Sequence, residues 1–250
     1  MNALSLTGKT GLVTGGAGGI GAAVCRRLAA AGATVIVADV DGDRAAKVAG
    51  DVGGRPWQVD LSDTAALADA DLDVDILVNN AGVQHVASVE EFPPDRFSVM
   101  LRLMLEAPFL LARAALPGMY RRSWGRVINI SSAHGLRASP YKAAYVSAKH
   151  GLEGLSKVIA LEGAARGVTS NCINPGYVRT PLVEAQISDQ AQVHGIEPDR
   201  VVTDVLLANS AVKRLVEPDE VAAAVAYLCM PGAASVTGTN MVIDGGWSAR

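Results

Sequence analysis

Aromatic residues, cysteines and excess charge are all scarce in this sequence of 250 residues. Only 4% of the residues are aromatic while half are apolar, so a core must be built from Ala, Val, Leu and Ile. That composition suits helices packed on both faces of a parallel sheet. The cysteines Cys25, Cys172 and Cys229 show neither disulfide nor metal-ligand spacing, which favours a reducing compartment and predicts no metal site. The net charge of −3 lacks the positive excess that nucleic-acid binding requires.

The sequence also contains no segment typical of a membrane span or a secretory signal. No apolar run reaches the roughly 18 residues of a spanning helix. The first stretch, "MNALSLTGKTGLVTGG", has no apolar core before a strand-like run begins. We therefore expect a soluble, cytoplasmic protein with no membrane partner and no nucleic-acid partner.

Short strand-like runs alternate with longer Ala- and Leu-rich segments along the chain. The strand-like runs lie at 10–14, 34–38, 56–60, 75–79, 126–131, 170–174 and 241–244. Helix-like stretches lie near 18–31, 94–120, 143–165 and 217–230. This alternation predicts βαβ crossovers and an α/β fold with a parallel sheet, formed by one domain over residues 1–250.

Two intervals differ from the regular alternation. The interval 61–74 is only 14 residues long, so any crossover helix within it is short. The interval 181–212 is a long insertion between the last two strand-like runs. Long insertions in compact domains are often lids or binding loops, so we expect a substrate loop there.

A glycine-rich turn joins the first strand-like run to the first helix-like stretch. Two overlapping patterns fit it: G-x-G-x-x-G at Gly16, Gly18 and Gly21, and T-G-x3-G-x-G at Thr14, Gly15, Gly19 and Gly21. Glycines allow backbone N–H groups to approach a pyrophosphate at a helix N-terminus. The alternative is a glycine-rich turn that binds no ligand.

Asp39 ends the next strand-like run, 24 residues after Gly15. An acidic residue there accepts the ribose hydroxyls of NAD and repels the extra phosphate of NADP. The alternative is that Asp39 is only a strand-end turn residue. Together with the glycine turn, Asp39 predicts NAD as the cofactor.

Polar residues follow two later strand-like runs, where an open α/β sheet binds ligands. Asp60 lies in "VDLSD" (59–63), and Asn80 and Gly82 lie in "NNAG" (79–82). Asp60 can accept from an adenine amine, but Asp60 or Asp63 can equally cap a short helix. Asn80 and Gly82 are also ordinary turn residues.

The stretch "SSAHGLRASPYKAAYVSAKHG" (131–151) carries candidate reacting groups. Tyr145 and Lys149 are four residues apart, so they share one helix face. A lysine ammonium near a phenol lowers the phenol pKa and makes tyrosine a usable acid/base. Ser132, at the end of a strand-like run, can donate a hydrogen bond to a carbonyl or a developing alkoxide. Such a Tyr/Lys pair is common by chance and is informative only beside the other features.

In this combination the chain resembles the classical short-chain dehydrogenase/reductases. The motifs "TGGAGGIG", "NNAG", "SS" with "YVSAK", "NPGYVRTP" and "DGGW" follow in the family's order over nearly the whole chain. The resemblance implies a Rossmann-like, doubly wound parallel sheet of about seven strands with helices on both faces. It also implies homotetramers and hydride transfer between a nicotinamide and a carbonyl carbon.

The same resemblance assigns roles to individual residues. Tyr145 is the acid/base, Lys149 holds the nicotinamide ribose and lowers the tyrosine pKa, and Ser132 orients the substrate oxygen. The cofactor-binding set comprises Gly15, Gly19, Ile20, Gly21, Asp39, Asp60, Leu61, Asn80, Gly82, Tyr145, Lys149, Pro175, Gly176, Val178 and Thr180.

A narrower resemblance is to the D-3-hydroxybutyrate dehydrogenases. The segments "NNAGVQHVASVEEFP" (79–93), "SSAHG", "YKAAYVSAKHG", "TPLVEAQI" (180–187) and "DGGWSAR" carry it. It implies a substrate carboxylate held by Gln84, His134, Lys142 and Gln186, beside Ser132 and Tyr145, with Trp247 closing an apolar pocket. A small hydroxy acid needs such a cation with several donors away from the reacting carbon.

Each of these side chains has a simpler alternative. His134 can bond a backbone carbonyl of its own loop, and Lys142 can be a solvated lysine at a helix start. Gln84 can be a loop amide, and Gln186 a surface residue of the insertion. Trp247 can belong to the core or to a subunit interface.

Two residues depart from the family pattern. The long helix-like stretch carries Met104 where the family has an asparagine that holds a water behind the lysine. A thioether accepts hydrogen bonds only weakly and donates none, so the proton relay is re-routed or catalysis is slower. Tyr177 stands where the subfamily often has tryptophan, so the pocket wall differs.

The resemblance therefore predicts NAD-dependent oxidation of D-3-hydroxybutyrate to acetoacetate. One alternative is a related enzyme acting on another small keto acid or secondary alcohol. A second, of a different class, is an NAD-binding protein that has lost catalysis, which Met104 motivates and which the retained Ser132, Tyr145 and Lys149 oppose.

Overall fold

The computed structural model describes residues 5–68, 70–181, 183, 184, 187, 191, 196, 197 and 200–249. In this part of the chain, seven parallel strands form one sheet in the order β3-β2-β1-β4-β5-β6-β7. The strands are β1 (Thr10–Thr14), β2 (Thr34–Asp39), β3 (Arg55–Gln58), β4 (Ile76–Asn79), β5 (Gly125–Ile130), β6 (Val168–Pro175) and β7 (Asn240–Ile243). The expected α/β fold with a doubly wound parallel sheet is confirmed.

Helices cover both faces of this sheet. They are α1 (Gly19–Ala30), α2 (Gly42–Val52), α3 (Pro94–Leu101), α4 (Ala107–Arg121), α5 (Ala143–Gly163) and α6 (Pro218–Cys229). A π-helical segment, Arg102–Glu106, joins α3 to α4 without a break, and another, Val201–Leu206, lies in the insertion. None of the helices in the described residues is both long and apolar enough to cross a membrane.

Alternating side chains of β1 face two separate cores. Val13 packs with residues of α1 and α6, including Leu28 and Val225, on one face of the sheet. Leu12 packs with residues of α4 and α5, including Leu111, on the other face. Full burial of such a side chain contributes about 1.5–3 kcal/mol, so the two cores fix the helices on the sheet.

The sequence pattern missed one helix, α2. Ala45 and Ala49 are buried and Val48 and Val52 pack beside them, so the apolar residues do follow a helical spacing, but the stretch is short and two of the four are small alanines. Its ends carry the clearer signal: the Asp41 carboxylate accepts from the Arg44 N–H, and Gly53 ends the helix in the left-handed conformation. In the short interval 61–74 the described structure has a single 3-10 turn, Thr64–Leu67.

Candidate active site

The glycine-rich turn lies where the strand order of the sheet reverses. β1 pairs with both β2 and β4, so the carboxyl ends of β1 and β4 border the crevice in which such sheets bind ligands. Gly15 has φ +60°, and a Cβ there would lie 2.9 Å from the Cα of Ala81. A Cβ on Gly21 would lie 2.1 Å from the Gly15 carbonyl oxygen, so α1 can pack this closely under the turn only with glycine at that position.

Asn80 and Thr14 hold the turn in place. The Asn80 side-chain amide donates to the carbonyls of Thr14 at 2.9 Å and Gly15 at 3.1 Å. The Thr14 hydroxyl accepts from the backbone N–H groups of Asn80 and Ala81. Asn80 therefore supports the glycine turn with its side chain, besides lining the crevice.

A cleft of about 660 Å³ opens above this turn, large enough for a dinucleotide. Every residue predicted to bind the cofactor lines it except Gly21, which lies beneath the turn and serves its packing: Gly15, Gly19, Ile20, Asp39, Asp60, Leu61, Asn80, Gly82, Tyr145, Lys149, Pro175, Gly176, Val178 and Thr180. The N-terminus of α1 and the absent Cβ atoms of the turn suit a pyrophosphate. The described residues therefore fit a nicotinamide dinucleotide.

One end of the cleft carries an acidic residue and an unpredicted basic one. The Asp39 carboxylate accepts from the N–H groups of Ala17 at 3.0 Å and Asp41 at 3.1 Å, which fixes its orientation. Arg44 of α2 donates to the Ala17 carbonyl at 3.2 Å, so its guanidinium lies beside the glycine turn. No sequence signal pointed to Arg44, because the helix that carries it was missed.

Of the two roles considered for Asp60 and Asp63, helix capping falls to Asp63, while Asp60 lines the cleft. The Asp63 carboxylate caps the turn Thr64–Leu67 by accepting from the Ala66 N–H. Asp60 lines the cleft, and its carboxylate accepts from the N–H and the hydroxyl of Ser62. These two hydrogen bonds lower the pKa of Asp60, so an anion faces this end of the cleft.

Ser132, Tyr145 and Lys149 come together at the other end of the cleft. β5 ends just before Ser132, while Tyr145 and Lys149 occupy one face of α5 as predicted. The Lys149 Nζ lies 5.6 Å from the centre of the Tyr145 ring and donates to the Ile130 carbonyl at 2.8 Å. The three side chains thus share one wall of the cleft.

The pKa of Tyr145 shifts in the opposite direction from the expected one. Burial raises the pKa of its phenol, and a hydrogen bond with Ser132 offsets that rise only in part. Burial also lowers the pKa of Lys149 to about 8. Burial therefore dominates the pKa of Tyr145 in the chain alone, and the lowering of that pKa by Lys149 stays a prediction.

Met104 lies in the π-helical segment beneath the cleft floor. Its side chain is fully buried and packs with Ala144 and Ala148 of α5. A Cβ on Gly82 would lie 3.3 Å from the Met104 sulfur, which places the thioether against the "NNAG" turn. No hydrogen-bonding side chain therefore stands at position 104, and the altered proton relay stays a prediction.

A side pocket of about 90 Å³ adjoins the reacting groups. All but one of the predicted substrate residues line it: Gln84, Ser132, His134, Lys142, Tyr145 and Trp247. The remaining one, Gln186, lies outside the described residues. Tyr177, Val183 and Ser210 also line the pocket. The sequence reasoning assigned no role to Val183 or Ser210, because both belong to the insertion, whose approach to the sheet depends on tertiary packing.

Lys142 is the residue immediately before α5, and its side chain is half-buried. Burial lowers the pKa of its ammonium, which lies 5.5 Å from the Tyr177 ring centre. No carboxylate of the described residues forms an ion pair with it. The preceding Tyr141 has φ +66°, a costly conformation for a residue with a Cβ, which helps direct the chain at this point.

His134 is held between two hydroxyl groups and two aromatic rings. Its Nε2 lies 2.9 Å from the Ser139 hydroxyl and its Nδ1 lies 3.5 Å from the Ser132 hydroxyl. The Trp247 and Tyr145 rings lie 5.3 Å and 6.1 Å away, centre to centre. Burial and the nearby Lys142 charge lower the pKa of His134 to about 4, so it presents a neutral imidazole to the pocket.

Gln84 borders both the cleft and the side pocket. Its Oε1 is buried and has no hydrogen-bond partner among the described residues. A buried amide left without a partner costs free energy, so this side chain is suited to contact a ligand.

A dinucleotide cleft at the switch point of the sheet, with Ser, Tyr and Lys at one end, defines a nicotinamide-dependent oxidoreductase. A family model described as Enoyl-(Acyl carrier protein) reductase matches residues 15–248. Together with the relatives below, it shows that the chain belongs to the short-chain dehydrogenase/reductase family.

Two curated relatives carry the name D-beta-hydroxybutyrate dehydrogenase. The one from Rhizobium meliloti is 43% identical over 256 residues, covering 97% of this chain and 99% of the relative. The one from Cupriavidus necator is 44% identical over 257 residues, covering 98% and 100%. A solved Agrobacterium tumefaciens structure with bound NADP is similar with a TM-score of 0.87 at 33% identity, covering 100% of both chains.

Proposed function

We propose that the protein is an NAD-dependent D-3-hydroxybutyrate dehydrogenase, which interconverts D-3-hydroxybutyrate and acetoacetate. The observation that carries the proposal is Lys142, a half-buried ammonium without a carboxylate partner in the described residues, in a small pocket shared with Tyr145 and Ser132. An unpaired cation in such a pocket favours an anionic substrate. The names of the two curated relatives support the same choice.

The pocket residues divide into a reacting set and a carboxylate-binding set. In the oxidative direction the Tyr145 phenolate takes the proton of the substrate hydroxyl, and the Ser132 hydroxyl donates to the same oxygen. Lys142 binds the carboxylate, and Gln84, Gln186 and neutral His134 add uncharged hydrogen bonds. The nicotinamide, when bound, supplies the acceptor of the hydride.

The choice of NAD over NADP rests on Asp39. Its carboxylate lines the cleft in a fixed orientation and would repel a phosphate on the adenosine ribose. A related structure of the same fold has NADP bound, so the proposed preference for NAD depends on local residues such as Asp39.

A substrate panel tests the proposed activity directly. NAD and NADP are each incubated with D-3-hydroxybutyrate, L-3-hydroxybutyrate, other small hydroxy acids and neutral secondary alcohols, and absorbance of the reduced cofactor is followed. We expect the highest kcat/KM for NAD with D-3-hydroxybutyrate. Turnover of neutral alcohols without turnover of hydroxy acids contradicts the proposal, and no turnover of any substrate favours a protein that has lost catalysis.

Replacing Lys142 by alanine tests the carboxylate site. We expect KM for D-3-hydroxybutyrate to rise about 10- to 100-fold, since a charge-assisted hydrogen bond contributes about 1.5–3 kcal/mol, while kcat changes little. Lys157→Ala is the matched control, because Lys157 is an exposed lysine of the adjoining helix α5. An equal rise in KM in both variants would mean that only the overall charge matters.

We also propose that the protein is a cytoplasmic homotetramer. The three cysteines are buried and unpaired, which suits a reducing compartment. Apolar side chains of α4 and α5 are exposed on the single chain, among them Phe109, Val158 and Leu161. Exposed apolar patches of this kind are typical of subunit interfaces.

A further inference from the structure

A buried carboxylate lies behind the reacting groups and has no part in the chemistry above. Glu153 follows Lys149 by one turn of α5, and only 4% of its surface is exposed. Its Oε1 accepts from the Asn174 side-chain amide at 2.6 Å. Its Oε2 is buried and has no hydrogen-bond partner among the described residues. Leaving a buried carboxylate this poorly solvated costs free energy.

The surroundings are closely fitted to this carboxylate. A Cβ on Gly135 would lie 2.6 Å from Glu153 Oε1 and 2.5 Å from the Ser131 hydroxyl oxygen, so a side chain there would displace one or both of these groups. The Ser131 hydroxyl also lacks a hydrogen-bond partner within the described chain. The small residues around Glu153 thus leave space for the charged side chain and do not neutralise it.

One hydrogen-bonded bridge and one electrostatic effect connect Glu153 to the reacting groups. The Asn174 amide that binds Glu153 also donates to the Ser132 carbonyl at 2.9 Å, which ties the carboxylate to the backbone of the proposed substrate-orienting serine. Burial lowers the pKa of Lys149, while the buried Cys172 thiol and then the Glu153 carboxylate, one helical turn away on α5, oppose that lowering.

The titratable groups that face Glu153 are few. Lys149 lies on its own helix, and Cys172 of β6 is a buried thiol whose pKa burial raises first and Glu153 second. Its other polar neighbours, Ser131 after β5 and Asn174 of β6, are uncharged. Within this group of described residues, Lys149 is the cation and Glu153 the anion.

We infer that Glu153 is a positioning residue whose buried negative charge keeps Lys149 protonated and which, through Asn174, fixes the backbone of Ser132. The inference rests on the proposed roles of Lys149 and Ser132 in hydroxy-acid oxidation. Glu153 touches neither the substrate nor the reacting atoms. It acts on the charge and the position of the groups that do.

The test compares Glu153→Gln, which is nearly isosteric and removes the charge, with Glu153→Asp, which keeps it. The chain has six lysines, so ¹³Cε signals can be followed by NMR, and Lys149→Arg identifies the Lys149 signal. We expect the Lys149 titration to move about one pKa unit lower in Glu153→Gln and by much less in Glu153→Asp. Glu162→Gln removes an exposed carboxylate from the same helix and is the control, in which the Lys149 titration is expected to stay unchanged.

The pH profile of kcat/KM is the second measurement. Removing a negative charge one helical turn from Lys149 lowers the pKa of Lys149, so the part of the Glu153→Gln profile that depends on Lys149 moves toward lower pH. A residue with a purely structural role would reduce activity or melting temperature without moving the profile. An unmoved profile together with an unmoved Lys149 titration overturns the inference.

The two measurements separate this inference from the proposed substrate. The NMR titration reports on Lys149 whether or not a hydroxy acid is turned over. A shifted Lys149 titration in a protein that rejects hydroxy acids supports the Glu153 inference and overturns the proposed function. Normal hydroxy-acid turnover together with an unshifted Lys149 titration in Glu153→Gln supports the proposed function and overturns the Glu153 inference.

Discussion

The side pocket holds one charged group, Lys142, and one neutral group, His134, although both side chains are bases that can be protonated. Burial lowers the pKa of both Lys142 and His134, but lysine starts so high that it keeps its charge near neutrality. His134 starts at 6.5 and falls to about 4, so it has lost its charge there. One ammonium and one neutral imidazole suit a substrate with a single negative charge.

The neutral state of His134 predicts how stability depends on pH. Its pKa is lower in the folded chain than in the unfolded chain, so the unfolded chain binds the extra proton between about pH 6.5 and about pH 4. The stabilisation is therefore complete above pH 6.5 and is lost as pH falls toward 4. We expect His134→Gln to lose part of this acid sensitivity in urea unfolding measured at pH 7, 6 and 5.

His134→Asn is the companion variant, because it also removes the imidazole but leaves a shorter side chain. A loss of acid sensitivity shared by both variants reports on the imidazole and not on the fit of one replacement. If His134→Gln and the wild type lose stability in parallel from pH 7 to 5, His134 is not the group that titrates.

Residues with a local pattern could be predicted from the sequence, while residues brought in by the fold could not. The spacing of Tyr145 and Lys149 places both on one helix face. The glycine turn is recognisable because close packing of the backbone there requires residues without a Cβ. Arg44, Ser210 and Glu153 have no such local signature. Their positions depend on how helices and loops pack over the sheet, which the spacing of residues along the chain does not encode.

At the scale of elements, helix α2 changes the cofactor end of the cleft. The strand-end position of Asp39 was visible in the sequence, whereas α2 was missed, and α2 carries Arg44 to the glycine turn. The acidic and basic side chains now line the same end of the cleft. The carboxylate disfavours an extra phosphate, while the guanidinium is a ready partner for one.

Replacing Asp39 by serine should therefore admit NADP. We expect kcat/KM with NADP to rise about tenfold or more, because the repulsion is removed and Arg44 can bind the phosphate; about 1.4 kcal/mol suffices for tenfold. Asp39→Ser with Arg44→Ala should lose the gain, whereas Asp39→Ser with Lys47→Ala should keep it, since Lys47 is an exposed cation of the same helix. Equal gains in both double variants would show that Arg44 does not bind the phosphate.

At the scale of the whole molecule, the sheet order explains why distant segments meet in one site. The strand order reverses at β1, so the glycine turn, the "NNAG" turn, Ser132 and the segment after β6 all lie along one edge of the sheet. This convergence was predictable from the alternation of strands and helices. The packing of the described part of the insertion was not, because it depends on contacts specific to this chain, such as those of Val201 and Leu206 with Leu215.

The outer face of α4 and α5 is where the proposed tetramer can be tested. Leu161 is 84% exposed on the single chain, and a groove beside α5 is lined by Leu101, Leu105, Phe109 and Leu155. Water contact of such a face is unfavourable, and burial against a second copy would remove it.

We expect the wild type to sediment with the mass of four chains and Leu161→Glu to dissociate into smaller species. Val89→Glu, at an exposed valine that belongs to neither helix, is the control that keeps the wild-type mass. A Leu161→Glu protein of unchanged mass would place the interface elsewhere, and a monomeric wild type would exclude the tetramer.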